Sequence, residues 1–181
     1  FIDEIIPTTW HKKVEFKNSF ESAYLSLGCE FEKGYLFLGS CIKNNGSSYF
    51  YIVKTDYDLN IKSEISFGED NCIEQSCNSF YIKNSDTIVF SGTVYKTATP
   101  TLLYHGCIFE INKNLEVLKF KVFDDYYFTD IHSILPQKNY SGYKITSSSF
   151  NNYFDPESGI IITNLDNNFN VVSIKKIKKF I

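Results

Sequence analysis

Short apolar runs separated by polar turns recur along the whole chain. In the first part of the sequence they occupy residues 23–32, 35–40, 49–56 and 61–67. The third run is apolar at nearly every residue, which is typical of a strand that packs on both faces. The fourth run alternates apolar and polar residues, which indicates an outer strand with one face in solvent. Helical periodicity of useful length is absent, so the pattern predicts an all-β protein.

The four runs form a unit that repeats about every 54 residues. Three sets of equivalent positions carry the repeat: Asp56, Asn112 and Asp166; Phe67, Phe123 and Ile177; and Ser40, Gly92 and Ser148. Neighbouring members of a set are between 52 and 56 positions apart. Val14 precedes Phe67 by 53 positions, which places residues 10–16 in the role of an outer strand as well.

A short polar segment rich in Asn and Asp joins the third and fourth strands of each unit. Because Asn and Asp tolerate the left-handed conformation, we predict a tight hairpin turn in which these residues adopt it. The first turn, Asp56-Tyr-Asp-Leu-Asn60, resembles the start of a calcium-binding loop. Such a loop needs Gly at its sixth position and Glu at its twelfth, where this chain has Ile61 and Phe67. We therefore interpret the segment as a turn.

Four antiparallel strands repeated at this period predict β-propeller blades. A β-sandwich is the alternative, but it does not explain so regular a repeat. We expect residues 1–16 to supply the outer strand of a preceding blade, and three full blades at 17–70, 71–124 and 125–181. Closed propellers usually have four to eight blades. The chain is therefore expected to belong to a larger propeller, or to complete one with missing sequence or another subunit.

The amino-acid composition excludes several classes of function. Aromatic residues make up 17% of the chain and the net charge is −3, which argues against a disordered chain and against a basic nucleic-acid module. The apolar runs are far shorter than the roughly 18 residues of a membrane span. The five cysteines are odd in number and lack zinc-like spacing, so we expect buried thiols, with a Cys72–Cys77 disulfide as the alternative, and no metal or cofactor. His11, His105 and His132 are isolated in the sequence.

One stretch resembles a known family. The residues are Trp10-His-Lys-Lys-Val14, Ser22-Ala23, Lys33-Gly-Tyr-Leu-Phe-Leu-Gly-Ser40 and Tyr51-Ile-Val-Lys-Thr-Asp56. Together they resemble secreted, kelch-like propeller repeat proteins of Bacteroidetes, and the likeness weakens in the second and third units. The resemblance implies an extracellular or cell-surface location, with the periplasm as a further possibility. The resemblance says more about where the protein is located than about which reaction it catalyses or which ligand it binds.

The candidate site lies on one edge of the predicted blades. In a four-stranded meander, the connections after the second and fourth strands lie on the same edge, and here they are the long ones. Aromatic and acidic residues in loops suit protein or sugar binding. The predicted binding residues are Tyr95, Tyr104, Asp124, Asp125, Tyr126, Tyr127, Tyr153 and Phe154. The alternative is that these aromatic rings fold back onto the blade edges. The opposite edge, with its short turns, is expected to offer little contact chemistry.

The favoured function is a non-catalytic binding or scaffold module outside the cytoplasm that contacts a protein or a glycan through the long-loop edge. A glycan-acting hydrolase or lyase on the same scaffold is the alternative. A purely structural role is the third reading. A buried carboxylate or histidine at this edge would favour catalysis, and an exposed aromatic surface would favour binding.

Overall fold

The chain folds into three four-stranded antiparallel sheets in a computed structural model that describes residues 20–70, 72–96, 103–123, 128–138, 141–149 and 159–178. Sheet A contains β1 (Ser22–Glu30), β2 (Gly34–Ile42), β3 (Ser48–Asp56) and β4 (Ile61–Phe67). Sheet B contains β5 (Cys72–Asn84), β6 (Thr87–Lys96), β7 (Leu103–Asn112) and β8 (Val117–Val122). Sheet C contains β9 (Asp130–Pro136), β10 (Tyr143–Ser149), β11 (Gly159–Leu165) and β12 (Val171–Lys178).

Each sheet is a meander in which every strand pairs with the strand before it. The all-β class and the three four-stranded antiparallel units predicted from the sequence are confirmed. Because the strands alternate in direction, the connections after the second and fourth strands lie at one edge, which we call the long-loop edge. The hairpins that follow the first and third strands lie at the opposite edge, the turn edge. The additional strand predicted within residues 1–16 lies outside the described residues.

The strand pairing corrects one equivalence drawn from the sequence. Gly39 lies opposite Tyr51 in sheet A, and Gly92 lies opposite Cys107 in sheet B. Tyr51 and Cys107 are 56 positions apart, as the first turn residues of these sheets are. Gly92 is therefore equivalent to Gly39 and not to Ser40. The connection between the second and third strands differs in length from sheet to sheet, so a fixed spacing could not give this register.

The three hairpin turns between the third and fourth strands share one geometry. The side chain of the first turn residue accepts two backbone N–H hydrogen bonds, from the residues two and four positions later, at 2.8–3.0 Å. These first residues are Asp56, Asn112 and Asp166. The left-handed residues are instead Leu59, Leu115 and Phe169, with φ of 62°, 65° and 64°. The expectation that Asn or Asp would be left-handed is thus wrong, because these side chains act as acceptors that hold the turn.

The apolar side chain at the left-handed position has a packing role in two of the turns. Leu115 is buried in the core between sheets A and B, and Phe169 is buried in the core between sheets B and C. A bulky residue with positive φ is uncommon. The contact made by its side chain offsets the backbone strain, since both residues are less than 5% exposed.

The sheets pack side by side through their faces. We call the face of a sheet that points toward the preceding sheet its leading face, and the opposite one its trailing face. Between sheets A and B, Phe50 of the trailing face meets Phe109 of the leading face at a ring distance of 5.1 Å. Between sheets B and C, Val89 and Ile108 join Ile145 in one core. Sheet B therefore has both faces buried, and seven consecutive residues of β6 are buried accordingly.

Lysines attach each sheet to the turn of the next. Lys54 of sheet A donates to the carbonyl of Lys113 at 3.0 Å, in the turn of sheet B. Lys119 of sheet B donates to the carbonyl of Asn167 at 2.8 Å, in the turn of sheet C. Lys113 and Asn167 occupy equivalent turn positions, 54 residues apart. The same turn carbonyl is therefore bound by a lysine of the preceding sheet at both interfaces.

Candidate functional site

Two of the eight predicted binding residues, Tyr95 and Tyr104, lie in the described part of the chain, and the structure brings them together. They lie opposite each other at the ends of β6 and β7, with ring centroids 4.5 Å apart. Tyr104 is 49% exposed and Tyr95 is partly buried. Both belong to strands, where the sequence predicted loop residues. The pair gives the long-loop edge of sheet B a rigid aromatic surface that is open to solvent.

The other six predicted residues lie outside the described residues. They are Asp124, Asp125, Tyr126, Tyr127, Tyr153 and Phe154. Their placement beside the tyrosine pair therefore stays a prediction.

Other charged and aromatic side chains also lie on the long-loop edge of sheets A and B. Lys96, next to Tyr95 in the sequence, forms an ion pair of 2.7 Å with Glu69. Tyr49 donates its phenolic hydrogen to the Asp70 carboxylate at 2.5 Å, and this hydrogen bond raises the pKa of Tyr49. The ammonium of Lys43 lies 3.9 Å from the centre of the Tyr49 ring. The edge thus combines aromatic surface with charges of both signs, which suits a polar partner.

A polar cluster that the sequence analysis missed lies between sheets B and C. Asn78 donates to Thr93 at 3.0 Å, to Asp130 at 2.6 Å and to the carbonyl of Ile131 at 3.1 Å. Thr93 also donates to Asp130, at 2.5 Å. One oxygen of Asp130 is therefore held by two side chains of the preceding sheet. The only signal in the sequence was the spacing Asp130-x-His132, which puts both side chains on the same face of a strand.

His132 lies between the second oxygen of Asp130 and the hydroxyl of Ser148. The imidazole Nδ1 is 3.6 Å from Asp130 Oδ2, and Nε2 is 3.2 Å from Ser148 Oγ. The side chains of His132 and Asp130 are 53% and 38% exposed. The distance to Asp130 is too long for a hydrogen bond, so the carboxylate does not fix the tautomer of the ring. Through Nε2, His132 can donate a hydrogen bond to the Ser148 hydroxyl or accept one from it, according to the tautomer.

The other histidines add no second cluster among the described residues. The Nδ1 atom of His105 is 3.3 Å from the carbonyl oxygen of Phe123, and His11 lies outside the described residues. Within the described ranges, no group of three or more His, Cys, Asp or Glu side chains could hold a metal ion. The same ranges contain no helix with the length and apolarity that a membrane crossing requires.

The cysteines are small apolar residues, as predicted. All five are free thiols, and every one except Cys29 is buried. Burial raises the pKa of Cys29 and of Cys41 to about 11, and it raises the pKa of Cys77 and Cys107 as well. Thiols held in this protonated form are poor nucleophiles.

The turn edge of sheet A carries a groove that the sequence analysis did not foresee. Its volume is about 800 Å³. The lining residues are Gly28, Cys29, Glu30, Tyr35, Phe37, Tyr57, Asp58 and Leu59. Tyr57 donates to the Glu30 carboxylate at 2.7 Å, and its ring meets that of Tyr35 edge-on at 5.6 Å. These contacts join side chains from two strands, β1 and β2, and a turn, which a search for loop aromatics could not detect.

The fold is similar to part of a solved enzyme. The chain matches the acylaminoacyl peptidase of Pyrococcus horikoshii, a propeller-containing protein, with a TM-score of 0.51 and 12% identity. The three sheets are β-propeller blades. The match covers 89% of this chain and 26% of the peptidase, so the chain spans about a quarter of that protein's length. No protein-family model and no curated protein matches the chain. The likeness concerns the fold alone, because identity is low.

Proposed function

We propose that the chain is a non-catalytic binding or scaffold module that works outside the cytoplasm, in the extracellular space, at the cell surface or in the periplasm. Its partner is a protein or a glycan, bound by the long-loop edge of the blades. The location follows the resemblance to secreted propeller repeat proteins noted above. The observation that carries the binding proposal is the close, tilted ring pair of Tyr95 and Tyr104, with Tyr104 49% exposed.

A rigid aromatic pair suits recognition for a physical reason. Tyrosine supplies a large contact area at a small loss of side-chain entropy, and its hydroxyl can hydrogen-bond to a polar partner. Contact with the Tyr95 ring restricts the Tyr104 ring before any ligand arrives, so little freedom is lost on binding. The Lys96–Glu69 ion pair beside it supplies polar groups at the rim.

A glycan array followed by titration calorimetry on the best-bound glycan tests this proposal. Removal of a central aromatic contact costs roughly 1–2 kcal/mol, so Tyr104→Ala is expected to weaken binding about tenfold. Tyr57→Ala is the matched control, because Tyr57 is an equally exposed tyrosine at the opposite edge. Equal losses in the two variants, or no loss in Tyr104→Ala, would reject the long-loop edge as the binding surface. If the array is blank, the same variants are compared in binding to a surface protein partner captured by crosslinking.

A glycan-acting hydrolase or lyase on the same scaffold is the second candidate. The observation that favours it is His132 between Asp130 and Ser148, a group with the reach of a general base. The exposure of both Asp130 and His132 weighs against catalysis, because active sites usually bury such pairs. Release of reducing sugar from polysaccharide by the wild-type chain, abolished in His132→Ala, would replace the binding proposal with this one.

A further inference from the structure

The trailing face of sheet C repeats the residues by which sheet B binds sheet C. Three residues of sheet B serve that interface: Ile108 and Phe123 in the core, and Lys121, which donates to a turn carbonyl of sheet C at 2.9 Å. The residues 54 positions later are Ile162, Ile177 and Lys175. The register is the same, because Lys121 lies opposite Ile108 and Lys175 lies opposite Ile162. Sheet C therefore carries a second copy of these interface residues.

This second set points away from sheet B. Thr163 lies opposite Ile145, which is buried against sheet B, so the alternation of side chains directs Ile162 to the trailing face. Within the described ranges, no sheet packs on this face. Ile177 is 41% exposed, and Ile160, on the same face, is 56% exposed. Sheet C thus presents apolar side chains to solvent where sheet B buries them.

A polar pair is repeated as well. Asn78 is the residue left without a cross-strand partner at a bulge in β5, and His132 is the corresponding residue at a bulge in β9. Each side chain bonds to a hydroxyl on the second strand of its sheet, Asn78 to Thr93 at 3.0 Å and His132 to Ser148 at 3.2 Å. Asn78 and His132 are 54 positions apart in the sequence. The two pairs are therefore equivalent.

The role of the first pair is visible at the interface of sheets B and C. Asn78 and Thr93 both donate to one oxygen of Asp130, a carboxylate of the neighbouring sheet, at 2.6 and 2.5 Å. In the second pair, the Nε2–H tautomer of His132 donates to the Ser148 hydroxyl. The hydrogen of that hydroxyl then remains for a group outside the sheet, as the hydrogen of Thr93 serves Asp130. The second pair thus matches a carboxylate on a neighbouring sheet.

The charges of the trailing face favour the same kind of partner. Lys144 and Lys175 are exposed on it, opposite Asn164 and Ile162. The four strands of sheet C contain one carboxylate, Asp130, and one of its oxygens is already held by sheet B. An acidic surface that packs here therefore meets positive charge and a prepared hydroxyl donor.

Ile160 adds a requirement on the size of the partner's residues. At the interface of sheets B and C the equivalent position is Gly106, where a β-carbon would lie 2.6 Å from the Ile131 side chain of sheet C. In sheet A the same position is Phe50, and it faces Gly92 across the interface with sheet B. A partner of sheet C therefore needs a small residue opposite Ile160, as sheet B has opposite Phe50.

We propose that the trailing face of sheet C is a binding surface for an acidic β-sheet of a protein partner. The Ser148 hydroxyl, aligned by His132, donates to an aspartate or glutamate carboxylate of that sheet. Lys175 donates to a backbone carbonyl in one of its turns, as the equivalent lysine of sheet B does to sheet C. Ile162 and Ile177 supply the apolar contact. This surface is distinct from the tyrosine pair at the long-loop edge, so each is tested without the other.

Titration with a model aspartate, followed by NMR of the His132 ring, tests the site. The probes are N-acetyl-aspartate methylamide and its neutral counterpart, N-acetyl-asparagine methylamide, at constant pH and ionic strength. The aspartate should shift the His132 Cε1–H resonance in a saturable way, and the asparagine should not. Ser148→Ala should weaken the binding roughly tenfold, since a hydrogen bond to a charged group is lost. Ser173→Ala, at an exposed serine of the same face, is the matched control and should bind as the wild type does.

Three results would overturn the carboxylate site: no saturable shift, equal shifts with both probes, or unchanged binding in Ser148→Ala. Far-UV circular dichroism should show the same strand content in all variants, and the comparison of the two probes on the wild type needs no variant. Sedimentation tests the choice of partner. A second copy would offer Tyr24 of sheet A where sheet C has Asp130, so Lys175→Glu should leave the sedimenting mass unchanged. A dimer that Lys175→Glu dissociates would replace the acidic partner with a second copy.

Discussion

The two interfaces between blades are built differently. Sheets A and B meet through phenylalanine rings, with Phe109 in contact with Phe50, Phe67 and Phe90 at ring distances of 4.9–5.1 Å. Sheets B and C meet through a core of mixed aliphatic and aromatic side chains and through a hydrogen-bonded cluster centred on Asn78 and Asp130. The first interface is held mainly by rings that fill the space between the sheets, so it tolerates small changes in the orientation of each ring. The second depends on polar partners that must meet in one arrangement.

This difference affects which interface can offer polar groups to a ligand. At the interface of sheets A and B, the buried amide of Gln75 donates to the carbonyls of Ser48 and Glu69, so it is already engaged within the protein. The interface of sheets B and C places Asp130, His132 and Ser148 at strand ends that reach the long-loop edge, beside the blade that carries Tyr95 and Tyr104. The part of the molecule with the less apolar interface is therefore also the part with the more varied surface chemistry.

The largest expected effect is the loss of the central ring between sheets A and B. Phe109→Ala leaves a cavity among several rings and should lower the free energy of unfolding by about 3–5 kcal/mol. Urea unfolding followed by far-UV circular dichroism measures it. Phe120→Ala, at a half-buried ring of the same cluster, is the control and should cost clearly less. Equal losses would mean that the cluster is not centred on Phe109.

The next effect compares a turn residue that packs in an interface with one that lines the groove. Phe169→Gly relieves a left-handed backbone but removes a buried ring, so the net loss should be about 2–4 kcal/mol. Leu59→Gly makes the same backbone change with less packing lost. It should alter the free energy of unfolding by less than about 1 kcal/mol. Thermal unfolding of both variants measures the two changes in stability. A larger loss of stability in Leu59→Gly than in Phe169→Gly would contradict the difference in burial.

A smaller loss is expected from the polar cluster between sheets B and C. Asn78→Ala removes the two N–H donors that Thr93, Asp130 and the Ile131 carbonyl share in a partly buried site, and should cost about 1–3 kcal/mol. Asn164→Ala is the control, because the exposed amide of Asn164 bonds to Ser173 at 2.8 Å within sheet C. Its effect should stay within about 0.5 kcal/mol. If the two variants are equally stable, the cluster does not hold the blades together.

The smallest expected effect is on the pH dependence of unfolding, in which the turns that begin with Asp56 and Asp166 should differ from the turn that begins with Asn112. A hydrogen bond from Lys62 lowers the pKa of Asp56, and backbone N–H groups lower the pKa of Asp166. A carboxyl with a lowered folded-state pKa adds stability above its unfolded pKa of about 3.9, and that stability is lost as pH falls through the folded value. Asp56→Asn copies the turn of sheet B and should reduce the acid sensitivity of unfolding between about pH 4 and pH 2. An unchanged profile would show that the turn carboxylate does not contribute.

The strands and turns could be predicted because their signals are local. Apolar runs and a repeated Asx residue are sufficient to specify a four-stranded unit, whatever packs beside it. The register of β6 could not be predicted, since Gly92 follows a connection whose length varies between the sheets. The left-handed conformation of Leu115 and Phe169 was missed because it is supported by burial between blades, which the residue type alone does not reveal.

The candidate site was predictable only in part. Tyr95 and Tyr104 are cross-strand neighbours, which a hairpin with a long connection allows. The cluster around Asp130 joins residues 52 positions apart in the sequence, Asn78 and Asp130. Such contacts depend on how two sheets meet, which no spacing within one sheet can specify.

The central claim is that the three sheets are stacked in chain order, so that sheet B separates sheet A from sheet C. Nuclear Overhauser spectroscopy of the chain tests this most directly, through aromatic and methyl protons. The structure predicts strong cross-peaks between Phe50 and Phe109 and between Ile108 and Ile145, which share cores. A dense set of cross-peaks joining the core residues of sheets A and C, as in a two-layer sandwich, would contradict it.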